Sequence, residues 1–121
     1  MGRILWAAPL MVLALAACGG PAKDATYENA TKLREAVIAS GVECPGDAVK
    51  HDDENGEDFI KCSDGLALSV FDTDKNQGLA KAIYGFSKTT YLAGPKWIIQ
   101  GDDDAVLAKL KGKLGGSLTV A

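Results

Sequence analysis

Histidine is almost missing from this chain. His51 is the only one among 121 residues, so any chemistry needing an imidazole base is confined to one position. Cysteine is sparse as well, at Cys18, Cys44 and Cys62, and no second cysteine pair or His–Cys combination has the spacing of a zinc site. Broad basic patches are lacking, and the formal net charge is −3. Phosphate recognition needs grouped Lys and Arg, which argues against a nucleic-acid partner and against docking on anionic lipid through a basic face. Lys109, Lys111 and Lys113 do cluster, but in the last turn of an expected helix, where the helix dipole favours them. Glycines at Gly65, Gly94 and Gly115-Gly116 mark turns and build no phosphate cradle. No nucleophile-elbow pattern surrounds any serine. The apolar runs are short too. The longest, Ile4 to Leu15, is interrupted by Pro9 and falls below the roughly 20 residues a membrane helix needs.

What the chain does have is a leader. Arg3 is the only charge before Cys18 and precedes that apolar run, an arrangement that suits a secretory signal. Leu15-Ala16-Ala17-Cys18, followed by Gly19-Gly20-Pro21, resembles the lipobox of bacterial lipoproteins. Small residues before the cysteine fit a protease pocket within the membrane, and the thiol accepts diacylglycerol. The resemblance implies that residues 1–17 are a signal peptide and that Cys18 carries lipid. Residues 18–25 become a short tether, and residues 26–121 one small domain outside the cell membrane. An uncleaved anchor helix with an incidental cysteine, or an ordinary secretory signal, are the alternatives. Two or three acyl chains contribute about 0.8 kcal/mol per buried CH₂ and make a durable anchor. A tether of this length reaches at most about 28 Å, so the domain is expected close to the bilayer.

With Cys18 lipidated, Cys44 and Cys62 remain as an even pair in an oxidising compartment. A disulfide is the expectation, against two free thiols or a metal pair.

Along the domain, residues 26–40 read as a helix, with Tyr27, Ala30, Leu33, Val37 and Ile38 on one face and Glu28 four before Lys32. Asp24 or Thr26 is the expected cap, and Gly41 the stop. Cys44-Pro45-Gly46 signals a turn. His51 to Glu57, with Asn55-Gly56, reads as an exposed loop or hairpin tip. Two units follow, each a hairpin and a helix. The first pairs Phe59–Cys62 with Leu66–Phe71, then a helix over about 74–87 with Leu79, Ala82, Ile83 and Phe86 inward. The second pairs Thr89–Ala93 with Lys96–Gln100, then a helix over about 103–114 with Val106, Leu107, Leu110 and Leu114 inward. The order α-β-β-α-β-β-α predicts an α+β fold, an antiparallel four-stranded sheet with helices packed on one face.

Four groups of residues invite a chemical reading. Asp72-Thr73-Asp74-Lys75-Asn76-Gln77-Gly78 places oxygens at alternate positions, as a calcium loop does. Its glycine is one place late, and Ile83 stands where a bidentate Glu belongs; capping of a helix start explains it more simply. Asp102 to Asp104 has the same explanation. His51-Asp52-Asp53-Glu54 is the one place where imidazole and carboxylates adjoin, and a solvated loop is the simpler account. Tyr91 and Trp97 would make an aromatic binding surface if they faced outward, although aromatic residues in strands are more often core.

The domain also resembles small exported lipoproteins of actinobacteria, on Cys44, Cys62 and Gly94-Pro95-Lys96-Trp97. That implies location and fold rather than activity. With no catalytic set and no cofactor motif, the leading expectation is a non-enzymatic, membrane-anchored binding module for an envelope protein or small ligand. The alternative is a lipoprotein that excludes superinfecting phage or inhibits an envelope enzyme; a prophage setting for the gene would favour it.

Overall fold

The computed structural model describes residues 21–121, so the leader and Cys18 lie outside the described residues. The elements run α1 (Ala30–Ala39), β1 (Val49–Asp52), β2 (Glu57–Ser63), β3 (Leu66–Phe71), α2 (Asp74–Ser87), β4 (Tyr91–Gly94), β5 (Trp97–Gly101), α3 (Asp104–Leu114) and β6 (Ser117–Thr119). One sheet in the order β1-β2-β3-β5-β4-β6 holds all six strands, and every neighbouring pair is antiparallel. The fold is α+β, but the four-stranded expectation is corrected to six. The two additional strands are the sheet edges. All four residues of β1 are exposed, and β6 has only Leu118 partly covered. Backbone pairing alone makes them strands, and apolar alternation cannot reveal that.

Helices on a single face is a second correction. Alternation along β3 and β5 sends Leu66, Leu68, Val70, Trp97 and Ile99 to one side, where α1 and α3 add Ala30, Leu33, Val37, Leu107, Leu110 and Leu114. Phe71, Tyr91, Ala93 and Ile98 point to the other side, where Ala80 and Tyr84 of α2 pack on them. The first core holds Trp97 fully buried and carries the disulfide between Cys44 and Cys62. That bond ties the turn after α1 to β2. The Arg34 guanidinium clamps the same turn, donating to the carbonyls of Cys44 (2.8 and 3.1 Å) and Gly46 (2.9 Å).

Helix α1 starts later than the sequence suggests, and its cap is Asn29, whose side chain accepts from the Lys32 N–H at 2.9 Å. The preceding residues are engaged elsewhere. The Asp24 N–H donates to the Leu114 carbonyl, its carboxylate accepts from the Gly116 N–H, and the Ala25 carbonyl accepts from Trp97 Nε1 at 2.9 Å. Tyr27 then packs edge-on against Trp97. Ile38 turns outward, and Ala36 takes its place on the buried face. Lys32 pairs with Glu35 at 3.7 Å.

Helix α2 is rotated from the expected register. Its bounds match, but Leu79, Ile83 and Phe86 are 57, 63 and 90% exposed. Gln77 faces inward instead, its amide donating to the carbonyls of Gly94 (2.7 Å) and Trp97 (3.0 Å). Both carbonyls belong to the β4–β5 turn, and a hydrogen bond of this kind contributes about 0.5–1.5 kcal/mol. Seating Gln77 on them and Tyr84 beside Tyr91 (ring centroids 5.6 Å apart) leaves the larger apolar residues outside.

Candidate functional site

Strand direction gives the domain two poles. The β4–β5 turn and the C-terminal end of α3 lie at one. The chain enters there, through Asp24 on Leu114 and Ala25 on Trp97. The β2–β3 turn lies at the other, because Leu66 pairs with Gly101 while Val70 pairs with Trp97.

At that far pole three segments enclose a cleft of about 450 Å³. Gly41 to Glu43 follow α1, Ser63 to Leu66 form the β2–β3 turn, and Gly101 to Lys109 run from β5 into the first half of α3. Val42, Leu66 and Val106 make its surface mainly apolar. Gly41 sits at φ +89°, which bends the chain off α1 and opens one wall. Its carbonyl accepts from Lys109 Nζ at 3.2 Å. The Asp102 N–H donates to the Gly65 carbonyl at 3.1 Å and joins two walls. Glu43, Asp102 and Asp103 put carboxylates at the rim. The Asp103 oxygen is committed to capping α3, accepting from Ala105 N–H (2.9 Å) and Val106 N–H (3.3 Å). The cleft falls within the size range of small-ligand sites. A hollow of about 540 Å³ beside Lys50, His51 and Phe59 is larger, but it is bounded chiefly by exposed side chains of the edge hairpin. The first cleft has buried elements behind it and is the better-formed site.

The residues singled out from sequence are placed as follows. Tyr91 and Trp97 are both buried, on opposite faces of the sheet, so they share no outward aromatic surface. The Thr73 hydroxyl accepts from the Asn76 N–H at 3.1 Å and caps α2, as Asp103 caps α3. Asp52 accepts from the N–H groups of Glu54 and Asn55 and from the Asn55 amide, closing the β1–β2 turn. Those hydrogen bonds, led by that from the Asn55 backbone, hold its carboxyl below the usual range. Among the described residues no three His, Cys, Asp or Glu side chains form a metal-holding group.

His51 lies between two carboxylates, Nδ1 at 3.0 Å from Asp58 and Nε2 at 2.9 Å from Asp53. Asp58 also accepts from the Ala30 N–H at 2.9 Å, linking this strand pair to the start of α1. No serine hydroxyl is hydrogen-bonded to the imidazole. Ser69 donates to Glu57 at 2.6 Å, and Ser87 bonds Ile83 and Thr89. The hydrogen bond to Asp58 raises the His51 pKa above 6.5, opposed by desolvation and aided by the charge of Asp53. A raised folded-state value means the protonated ring favours the fold. That contribution is fully present below the unfolded pKa and disappears as pH rises through the folded one. A proton NMR titration should place the His51 midpoint above 6.5, and Asp58→Asn should bring it down. An unchanged midpoint in that variant would mean Asp58 does not set it.

No family model, no curated protein and no solved structure matches this chain. The site is therefore read from its own geometry.

Sequence reasoning missed the cleft altogether. Its apolar residues are single positions, Val42, Leu66 and Val106, drawn from three distant segments. The available signal was Gly41, Gly65 and Gly101, small residues at element ends that bring backbones together. A Cβ on Gly101 would stand 3.2 Å from the Gly65 carbonyl and 3.3 Å from Leu66 Cδ1.

Proposed function

We propose that this protein is a membrane-anchored extracytoplasmic lipoprotein, a non-enzymatic module that binds a small, largely apolar ligand in the cleft between α1, the β2–β3 turn and α3. The supporting observation is placement. The chain enters the domain at the Trp97 pole, and the cleft opens at the opposite one. A lipid on Cys18 would keep the first pole near the bilayer and leave the cleft, on the side of the sheet that carries α1 and α3, open to the surroundings. The environment of His51 also fits a binder. Both ring nitrogens face carboxylates, and the hydroxyl–imidazole pair of a hydrolase is not assembled.

Two measurements test the parts separately. Mass spectrometry of the membrane-extracted protein should show a mature chain beginning at a lipidated Cys18, and Cys18→Ser should leave the membrane fraction. A bare thiol there would refute the anchor. For the cleft, native mass spectrometry of protein extracted from its own envelope should show a bound small molecule. Val106→Trp, a change at a half-buried rim position, should lose that mass while keeping the circular dichroism spectrum. Equal ligand retention by the variant would move the site elsewhere.

A further inference from the structure

Among the described residues, none covers the outer face of α2. Leu79, Ile83 and Phe86 are all more than half exposed, and at helical spacing they form one apolar stripe. Lys75, Lys81 and Lys88 are exposed along it, with carboxylates at Asp74, at Asp72 just ahead of the helix and at Glu57 on β2. A chain of net charge −3 thus carries one helix with an exposed apolar stripe, and Glu57 lines a hollow with Leu79 and Ile83 beside it.

Where the chain leaves the described residues says what meets that helix. Trp97 touches both: its indole N–H donates to Ala25 in the entering segment, and its carbonyl accepts from Gln77 in the first turns of α2. The root of the tether and the start of α2 are one tryptophan apart. From Ala25 back to Cys18 the chain spans at most about 24 Å. From Gln77 to Phe86 the helix advances about 14 Å. A lipid at Cys18 therefore keeps the bilayer within reach of the whole stripe.

We propose that α2 lies on the membrane, with Leu79, Ile83 and Phe86 in the headgroup–acyl boundary. The lipid tether and this helix would then form a two-point attachment. The inference rests on the anchor reading above. An exposed apolar stripe within reach of an acyl anchor adds buried area to it, and a second contact converts marginal binding into stable binding.

The test uses the full chain, processed and lipidated in a bacterial host and reconstituted into vesicles of phosphatidylcholine and phosphatidylglycerol containing brominated acyl chains. Phe86→Trp supplies the reporter, and the buried Trp97 the internal reference. The expected result is emission from the introduced indole that is blue-shifted and quenched several-fold more than that of Trp97. Leu79→Ser combined with Ile83→Ser, both exposed positions, should reverse most of that quenching while the protein still sediments with the vesicles. Sedimentation with an unquenched, red-shifted reporter would overturn the helix contact and leave the anchor intact. Failure to sediment would overturn the anchor and, with it, this inference. A reporter shielded equally in detergent, with mass rising in sedimentation as concentration rises, would assign the stripe to a second copy of the chain and overturn the membrane contact.

Discussion

Replacing Trp97 with alanine is expected to lower stability by about 3–5 kcal/mol, a large part of the roughly 5–15 kcal/mol that holds a small domain together. The indole is fully buried and joins several parts of the fold. Its ring packs against Tyr27, its N–H satisfies the Ala25 carbonyl, and its backbone carbonyl receives the Gln77 amide. Gly94 lies against the ring so closely that any Cβ there would collide with it. Truncation thus opens a cavity at the pole where the chain enters and leaves Ala25 without its donor. Urea denaturation followed by circular dichroism reads the loss as a lower midpoint. Trp97→Phe should lose less, because most of the ring volume remains. A midpoint for Trp97→Ala within experimental error of the parent would refute this account of the core.

Removing the disulfide should cost about 3 kcal/mol, the chain-entropy value for closing a loop of this length. Cys44 and Cys62 are separated by 18 positions, and both are buried. The paired change Cys44→Ala with Cys62→Ala tests this without leaving thiols to reoxidise. Arg34 still grips the Cys44 and Gly46 carbonyls in that variant, so the turn has a second constraint and the native arrangement should persist at lower stability. Adding Arg34→Ala should then release the segment between α1 and β1, seen as faster amide exchange of residues 42–48. Equal midpoints with and without the disulfide would show that the bond adds nothing to the folded state's advantage.

Much of the architecture was readable, and the reasons are local. Leu66, Leu68 and Val70 alternate, Trp97 and Ile99 share a face, and Leu107, Leu110 and Leu114 recur at helical spacing. Each pattern reports a residue type meeting a core at a fixed backbone period. The turns at Ser63-Asp64-Gly65 and Gly94-Pro95 were readable from their own chemistry, and α3 from Asp103 at its start and Gly115 at its end. The edge strands β1 and β6 were not, because their side chains meet water on nearly every position and carry no burial signal. The site was less legible than the fold. Tyr91 and Trp97 looked like surface candidates only while the packing of helices on both faces was unknown.

By itself, then, the amino-acid sequence determined the secondary-structure plan and the antiparallel hairpins. It also singled out Cys44 and Cys62 as the bridged pair, now seen joined. These follow from periodicity, capping and residue chemistry within short windows. Tertiary structure alone decided which way α2 faces, where the cleft opens, and that two helices lie on one side of the sheet and one on the other. The physical reason is the same in each case. Hydrogen bonds to the carbonyls of Gly94 and Trp97 hold Gln77 inward against the apolar pattern. The cleft exists only where three distant segments meet, and no local spacing records either fact.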